Sequence, residues 1–113
     1  MADIDPRAFD EFEAAGWERV AARYGELLSP ITRQAVEPLL DAAGVRAGLR
    51  VLDVGTGPGE AAAAAAARGS DATGIDIAAA MVELASRHHP EATFVQGSAT
   101  DLPFPDESFD AAV

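Results

Sequence analysis

A chain of 113 residues, 49% of them hydrophobic, has room for one globular domain and no more. Its net charge of −11 disfavours nucleic acid and anionic membrane as partners, and its eight basic residues are all arginine, which excludes a P-loop lysine and Schiff-base chemistry. With no cysteine there is no disulfide framework or thiolate zinc site, and with no basic-then-apolar leader and no membrane-length apolar stretch, the cytoplasm is the expected location.

Asp5-Pro6 reads as an N-cap followed by a first helical residue. Phe9, Phe12, Trp17, Val20, Tyr24, Leu27 and Leu28 then recur at helical spacing and predict one apolar stripe, with Glu11, Glu13, Glu18, Arg19 and Arg23 mostly off it. Ser29-Pro30 repeats the cap-and-proline pattern. It opens a second helix that runs through Ile31, Val36, Leu39 and Leu40 to a stop at Gly44. Pro38 lies inside that helix and is expected to kink or split it. Val45–Leu49 connects to the first strand.

From there the pattern alternates. A strand over 50–54 precedes a helix over 58–68, closed by Gly69. A strand over 72–76 and a helix over about 78–88 follow, ended by Pro90, and 92–96 reads as a third strand. Leu102-Pro103-Phe104-Pro105 is irregular, because each proline removes a donor and restricts its neighbour. Phe109–Val113 begins a fourth strand. Alternating strands and helices imply an α/β fold, a doubly wound parallel sheet of Rossmann-like type preceded by two helices.

The chemistry concentrates at Val51-Leu52-Asp53-Val54-Gly55-Thr56-Gly57-Pro58-Gly59, an apolar strand that delivers a carboxylate and then three glycines on alternate positions. Gly55, Gly57 and Gly59 allow a sharp turn and a close approach of ligand to backbone. Pro58 suits a first helical turn, and Glu60 with the alanines 61–67 continues the helix. The second strand ends at Asp76, 17 positions after Gly59 (76 − 59 = 17), where a carboxylate accepts the hydroxyls of a ribose or caps the following helix. The strict dinucleotide fingerprint fails from Gly55, and only its looser form fits from Gly57. Asp53 beside the turn repels a pyrophosphate and suits an ammonium or sulfonium ligand; it also suits accepting N–H groups of its own loop. His88-His89 fits the helix dipole and solvent, no metal site is expected, and Asp106, Glu107 and Asp110 read as a solvated loop.

These motifs resemble the cofactor half of a class I S-adenosylmethionine-dependent methyltransferase, in the type 11 group with ubiquinone- and menaquinone-biosynthesis-like enzymes. Val51–Gly59 resembles the family's first motif and Gly74–Ile77 its acidic second. Gly97-Ser98-Ala99 with Leu102–Asp110 resembles its third, and Trp17-Glu18 and Tyr24 resemble its N-terminal lid helix. The resemblance implies S-adenosyl-L-methionine as cofactor, with the backbone of Gly55, Thr56 and Gly57 around its methionine part. It implies Asp53 at the amino group, Asp76 on the ribose, Ile77 on the adenine, Ser98 and Ala99 at the adenine edge, and Tyr24 closing over the carboxylate. Ser98 departs from the family's usual Asp, and a neutral acceptor makes a weaker bond.

The same resemblance implies residues 1–48 as a helical lid or cap segment and 49–113 as a partial cofactor-binding domain, since the family's sheet has seven strands. The chain is therefore expected to be a truncated product, a fragment or one piece of a split protein, prone to self-association through the open edge at Phe109–Val113. The expected function is methyl transfer to a small-molecule acceptor, with no catalytic residue implied. Two alternatives stand beside it: a non-catalytic module that binds a partner along the strand edge, and a fragment of a nicotinamide-dependent oxidoreductase.

Overall fold

In the computed structural model, which describes residues 3–113, the alternation of strands and helices assembles as an α/β fold. The order is α1 (Pro6–Leu27), α2 (Ser29–Ala42), β1 (Arg50–Val54), α3 (Glu60–Ala67), β2 (Asp71–Asp76), α4 (Ala79–His88), β3 (Thr93–Gln96) and β4 (Ala111–Ala112). The four strands form one sheet in the order β3-β2-β1-β4, and every pair is parallel. Parallel neighbours need a crossover, and α3 and α4 supply it. The chain moves outward from β1 to β2 and β3, then returns to the other side of β1 with β4. The strand order therefore reverses beside β1, where open α/β sheets place their ligand crevice.

Val51 and Leu52 are 1% and 3% exposed, as a strand covered on both faces requires. Alanine explains the close seat of α3: it favours helix, and its small side chain lets Ala62 and Ala65 bury completely against the sheet beside Leu40, Val45, Val51 and Ala72. The helix begins at Glu60, two residues later than expected. Gly59 is its N-cap in a left-handed conformation (φ 89°), and Pro58 stays in the turn. Gly69 (φ 88°) closes it as predicted.

Asp5 caps α1 by accepting from the Arg7 N–H at 3.0 Å. The predicted apolar stripe of α1 is not a core face. Phe12 and Leu27 are mostly exposed, and Phe9, Val20 and Leu28 are about half exposed. Only Ala21 is buried, against Ala78 and Met81. A small residue makes the contact, so α1 lies close to α4. Glu18 reinforces the contact by accepting from the Ala80 N–H at 2.9 Å, a service the N-cap Ala78 cannot perform with its own side chain.

Ser29 does not cap α2. A single residue, Leu28, separates the two helices and is itself helical in backbone, so Ser29 falls at the first helical position with its hydroxyl buried and unpaired. Pro38 neither splits nor ends α2, which runs unbroken to Ala42. Leu40, wholly buried, holds it to the core, and Arg68 at the end of α3 donates to the Glu37 and Val45 carbonyls and pairs with the Glu37 and Asp41 carboxylates. Asp110 lies exposed just before β4, as a solvated loop residue, and there accepts from the Arg50 backbone N–H (2.8 Å) and guanidinium (3.2 Å), which fixes the approach to β4. That pairing holds the Asp110 carboxyl below its ordinary pKa. Among the described residues no helix is long and apolar enough to cross a membrane.

Candidate functional site

The carboxyl ends of β1, β2 and β3 open into a cavity of about 410 Å³, roofed by α1. Its floor is the turn after β1. Gly55 and Gly57 hold φ values of 69° and 54°, and nothing lies within 4 Å of where a Cβ would stand on either. Both positions require a backbone that L side chains rarely adopt, and both leave the main chain bare toward open space. The Thr56 N–H donates to the Ile75 carbonyl at 2.9 Å, which pins the turn to β2.

Asp76 ends β2 and organises the centre. One carboxylate oxygen accepts from the Gly57 N–H at 2.9 Å and the other from the Ala78 N–H at 3.0 Å. It is not the N-cap of α4, which is Ala78. A carboxylate offers about four lone-pair sites, so two backbone bonds leave it capacity for ligand hydroxyls. Beyond Asp76 the wall is apolar at Ile77 and Met81, and then polar at Gly97–Thr100 past the end of β3. The roof carries Phe9, Asp10, Glu13, Trp17 and Tyr24. Trp17 donates to Glu13 at 3.1 Å and meets Tyr24 edge-on, ring centres 5.9 Å apart.

The structure thus brings Tyr24, Gly55, Gly57, Asp76, Ile77, Ser98 and Ala99 around one space. Asp53 and Thr56 lie behind the turn and line a second cavity of about 250 Å³ that shares Tyr24 and Gly55 with the first. Gly59 lines neither; a Cβ there would sit 2.7 Å from Phe94 and 2.9 Å from Ala85, so its absent side chain serves packing. Asp53 is 7% exposed and accepts from the Thr56 hydroxyl at 2.7 Å. Burial pushes its carboxyl up to about 6, against the opposing pull of the Thr56 and Ala62 donors.

On α1 the sequence marked Trp17 and Tyr24, which both line the cavity, but not Phe9, Asp10 or Glu13. Asp10 accepts from the Ser98 hydroxyl at 2.8 Å, across 88 positions of chain. In the sequence Asp10 is one acidic residue among several on an amphipathic helix, and nothing marks it. With Asp10, Glu13 and Asp76 in the lining, and no basic side chain in it among the described residues, the cavity is electronegative. It favours a cationic ligand and repels phosphates.

A family model described as a methyltransferase domain matches residues 51–113. The demethylmenaquinone methyltransferase of Beutenbergia cavernae is 40% identical over 108 residues, which cover 90% of this chain and 45% of that protein. The crystal structure of YcgJ from Bacillus subtilis superposes with a TM-score of 0.62 at 37% identity, covering 69% of this chain and 36% of that one. An S-adenosylmethionine-dependent methyltransferase of Thiobacillus denitrificans, solved in complex with S-adenosyl-L-homocysteine, gives a TM-score of 0.65 at 29% identity. It covers 98% of this chain and 43% of its own. The chain spans about half the length of the curated relatives it matches.

Proposed function

The chain belongs to the methyltransferase-domain family, and from that membership we propose that it binds S-adenosyl-L-methionine in the glycine-floored cavity for methyl transfer to a small-molecule acceptor. The observation that carries the reading is the pairing of a bare glycine floor with an acidic lining. Open space stands where Cβ atoms at Gly55 and Gly57 would project, so the floor suits a ligand laid directly on the main chain. A site that presents carboxylates and no guanidinium suits a sulfonium with an ammonium group and a ribose, and repels the pyrophosphate of a dinucleotide. The alternative of a nicotinamide cofactor is disfavoured on that ground.

In this reading the backbone of Gly55, Thr56 and Gly57 surrounds the methionine part at the end of β1, and Tyr24 covers it from α1. Asp76 accepts from the ribose hydroxyls while its backbone bonds keep it oriented. Ile77 packs on the base, with Ser98 and Ala99 at its edge. Asp53 acts behind the turn, fixing Thr56 and adding negative potential near the amino group. The chemistry such a cofactor supplies is an electrophilic methyl group on a positively charged sulfur. The residues of this chain bind, orient and exclude water; transfer then needs an acceptor placed in line with the methyl group. Residues 1–48 serve as the cover of the site and 49–113 as its base. The relatives named for a demethylmenaquinone substrate support a small-molecule acceptor.

Calorimetric titration of the chain with S-adenosylhomocysteine, with NAD as control, tests the reading. Saturable binding of the first, no heat with the second, and at least about tenfold weaker binding in Asp76→Asn are expected. Equal binding of NAD, or no binding of S-adenosylhomocysteine, refutes it.

A further inference from the structure

The strand order sets a direction across the cavity. The ends of β1, β2 and β3 stand side by side, presenting the glycine floor, then Asp76, then Gly97 and Ser98. The Gly97 N–H donates to the Asp76 carbonyl at 2.9 Å, so the third station adjoins the second. A nucleoside whose ribose sits on Asp76 and whose other arm lies on the glycines must send its base toward the end of β3. There the Ser98 hydroxyl is already committed. Its proton goes to Asp10 at 2.8 Å, while its oxygen accepts from the Thr100 N–H at 3.2 Å and lies 2.8 Å from the Thr100 hydroxyl.

We propose that Asp10 is a specificity-determining residue, whose carboxylate accepts a hydrogen bond from an exocyclic amino group on the base of the bound nucleoside and rejects a carbonyl at that place. This rests on the cofactor reading given above. Ser98 is then a positioning residue: it aims the carboxylate and has no proton left for the ligand. Glu13, the neighbouring acid on α1, is turned to the Trp17 ring N–H, whereas Asp10 is the acid of the roof bonded to Ser98 past the end of β3. An ionised carboxyl carries acceptors and no donor, so an amino group meets a partner and an oxo group meets repulsion. The selecting group therefore comes from α1, the element that roofs the cavity, and a base is read only when the roof is in place.

The test compares S-adenosylhomocysteine with S-inosylhomocysteine, which carries an oxo group in place of the 6-amino group. The unaltered chain is expected to prefer the amino ligand by at least about tenfold. Asp10→Asn is expected to bring that preference to about threefold or less, because an amide both accepts and donates. Ser98→Ala should narrow the preference less than Asp10→Asn, since it frees the carboxylate without removing it. An unchanged preference in Asp10→Asn, with S-adenosylhomocysteine still bound, overturns the proposal and leaves the cofactor reading standing. If the unaltered chain binds neither ligand, the cofactor reading fails and the proposal falls with it. Thermal melts of the variants separate binding loss from unfolding, and Asp10→Asn, a near-isosteric change on a partly exposed helical position, should melt with the parent.

Discussion

Replacing Asp53 by asparagine tests the electrostatics behind the glycine turn. The carboxyl is 7% exposed, and burial raises it from 3.8 to about 6. At roughly 1.4 kcal/mol per pH unit, that rise corresponds to about 3 kcal/mol, an upper figure for its effect on folding. The sign follows from proton binding. Below pH 3.8 the group is protonated in both states and contributes nothing. Between 3.8 and about 6 the folded chain holds the proton more tightly than the unfolded chain, so stability falls as pH rises. Above about 6 the full cost is present. Asparagine carries no charge and keeps an oxygen to accept from Thr56, so the variant escapes the cost. Urea melts of both proteins at intervals from pH 4 to pH 8 give the stability difference at each pH. Titration of the other acidic groups is common to both and cancels. The advantage of Asp53→Asn is expected to grow by up to about 3 kcal/mol between pH 4 and 7, a midpoint shift of about 1–3 M urea. A difference that stays flat across that window, or shrinks as pH rises, refutes the reasoning.

Two further substitutions probe the packing. Gly59→Ala places a Cβ 2.7 Å from Phe94 and 2.9 Å from Ala85 at a φ of 89°, and is expected to cost about 2–5 kcal/mol from left-handed strain and overpacking together; a urea midpoint within error of the parent would show that Phe94 yields freely. Leu40→Ala empties the centre of the larger core cluster, where Leu40 is 0% exposed, with an expected loss of about 2–5 kcal/mol; a loss below about 1 kcal/mol in the same melts would mean that α2 does not carry the core.

The elements most legible in the sequence were those whose signal is local. Strand, glycine turn and helix over 50–69 were legible, apart from the helix start at Glu60 in place of Pro58, because a β-rich apolar run, left-handed glycines and an alanine run each act within a few residues. Gly44 and Gly69 mark their helix ends by the same logic. The misreadings arose where distant contacts decide. The stripe on α1 has helical period, but periodicity does not say what the stripe faces, and the real contact is the small Ala21. Pro38 breaks an isolated helix, yet here Leu40 and the four acceptors gathered by Arg68 hold α2 together. Ser29 has the residue type of a cap, but the chain arrives at it already helical. At the site, Gly55, Gly57 and Asp76 were readable from spacing. Asp10 was not, because its meaning lies in a bond to a residue 88 positions away.

With one residue, Leu28, between α1 and α2, any rotation of α1 about that junction acts on a long arm. Asp10 lies 18 positions from the junction (28 − 10 = 18), an arm of about 27 Å at the rise of an α-helix. A swing of about 10° there would carry the Asp10 end through about 5 Å, more than enough to part it from Ser98. Tyr24, only four positions from the junction, would move about 1 Å in the same swing. Any such rotation is therefore geared unequally along the roof: wide over the base end, slight over the glycine floor.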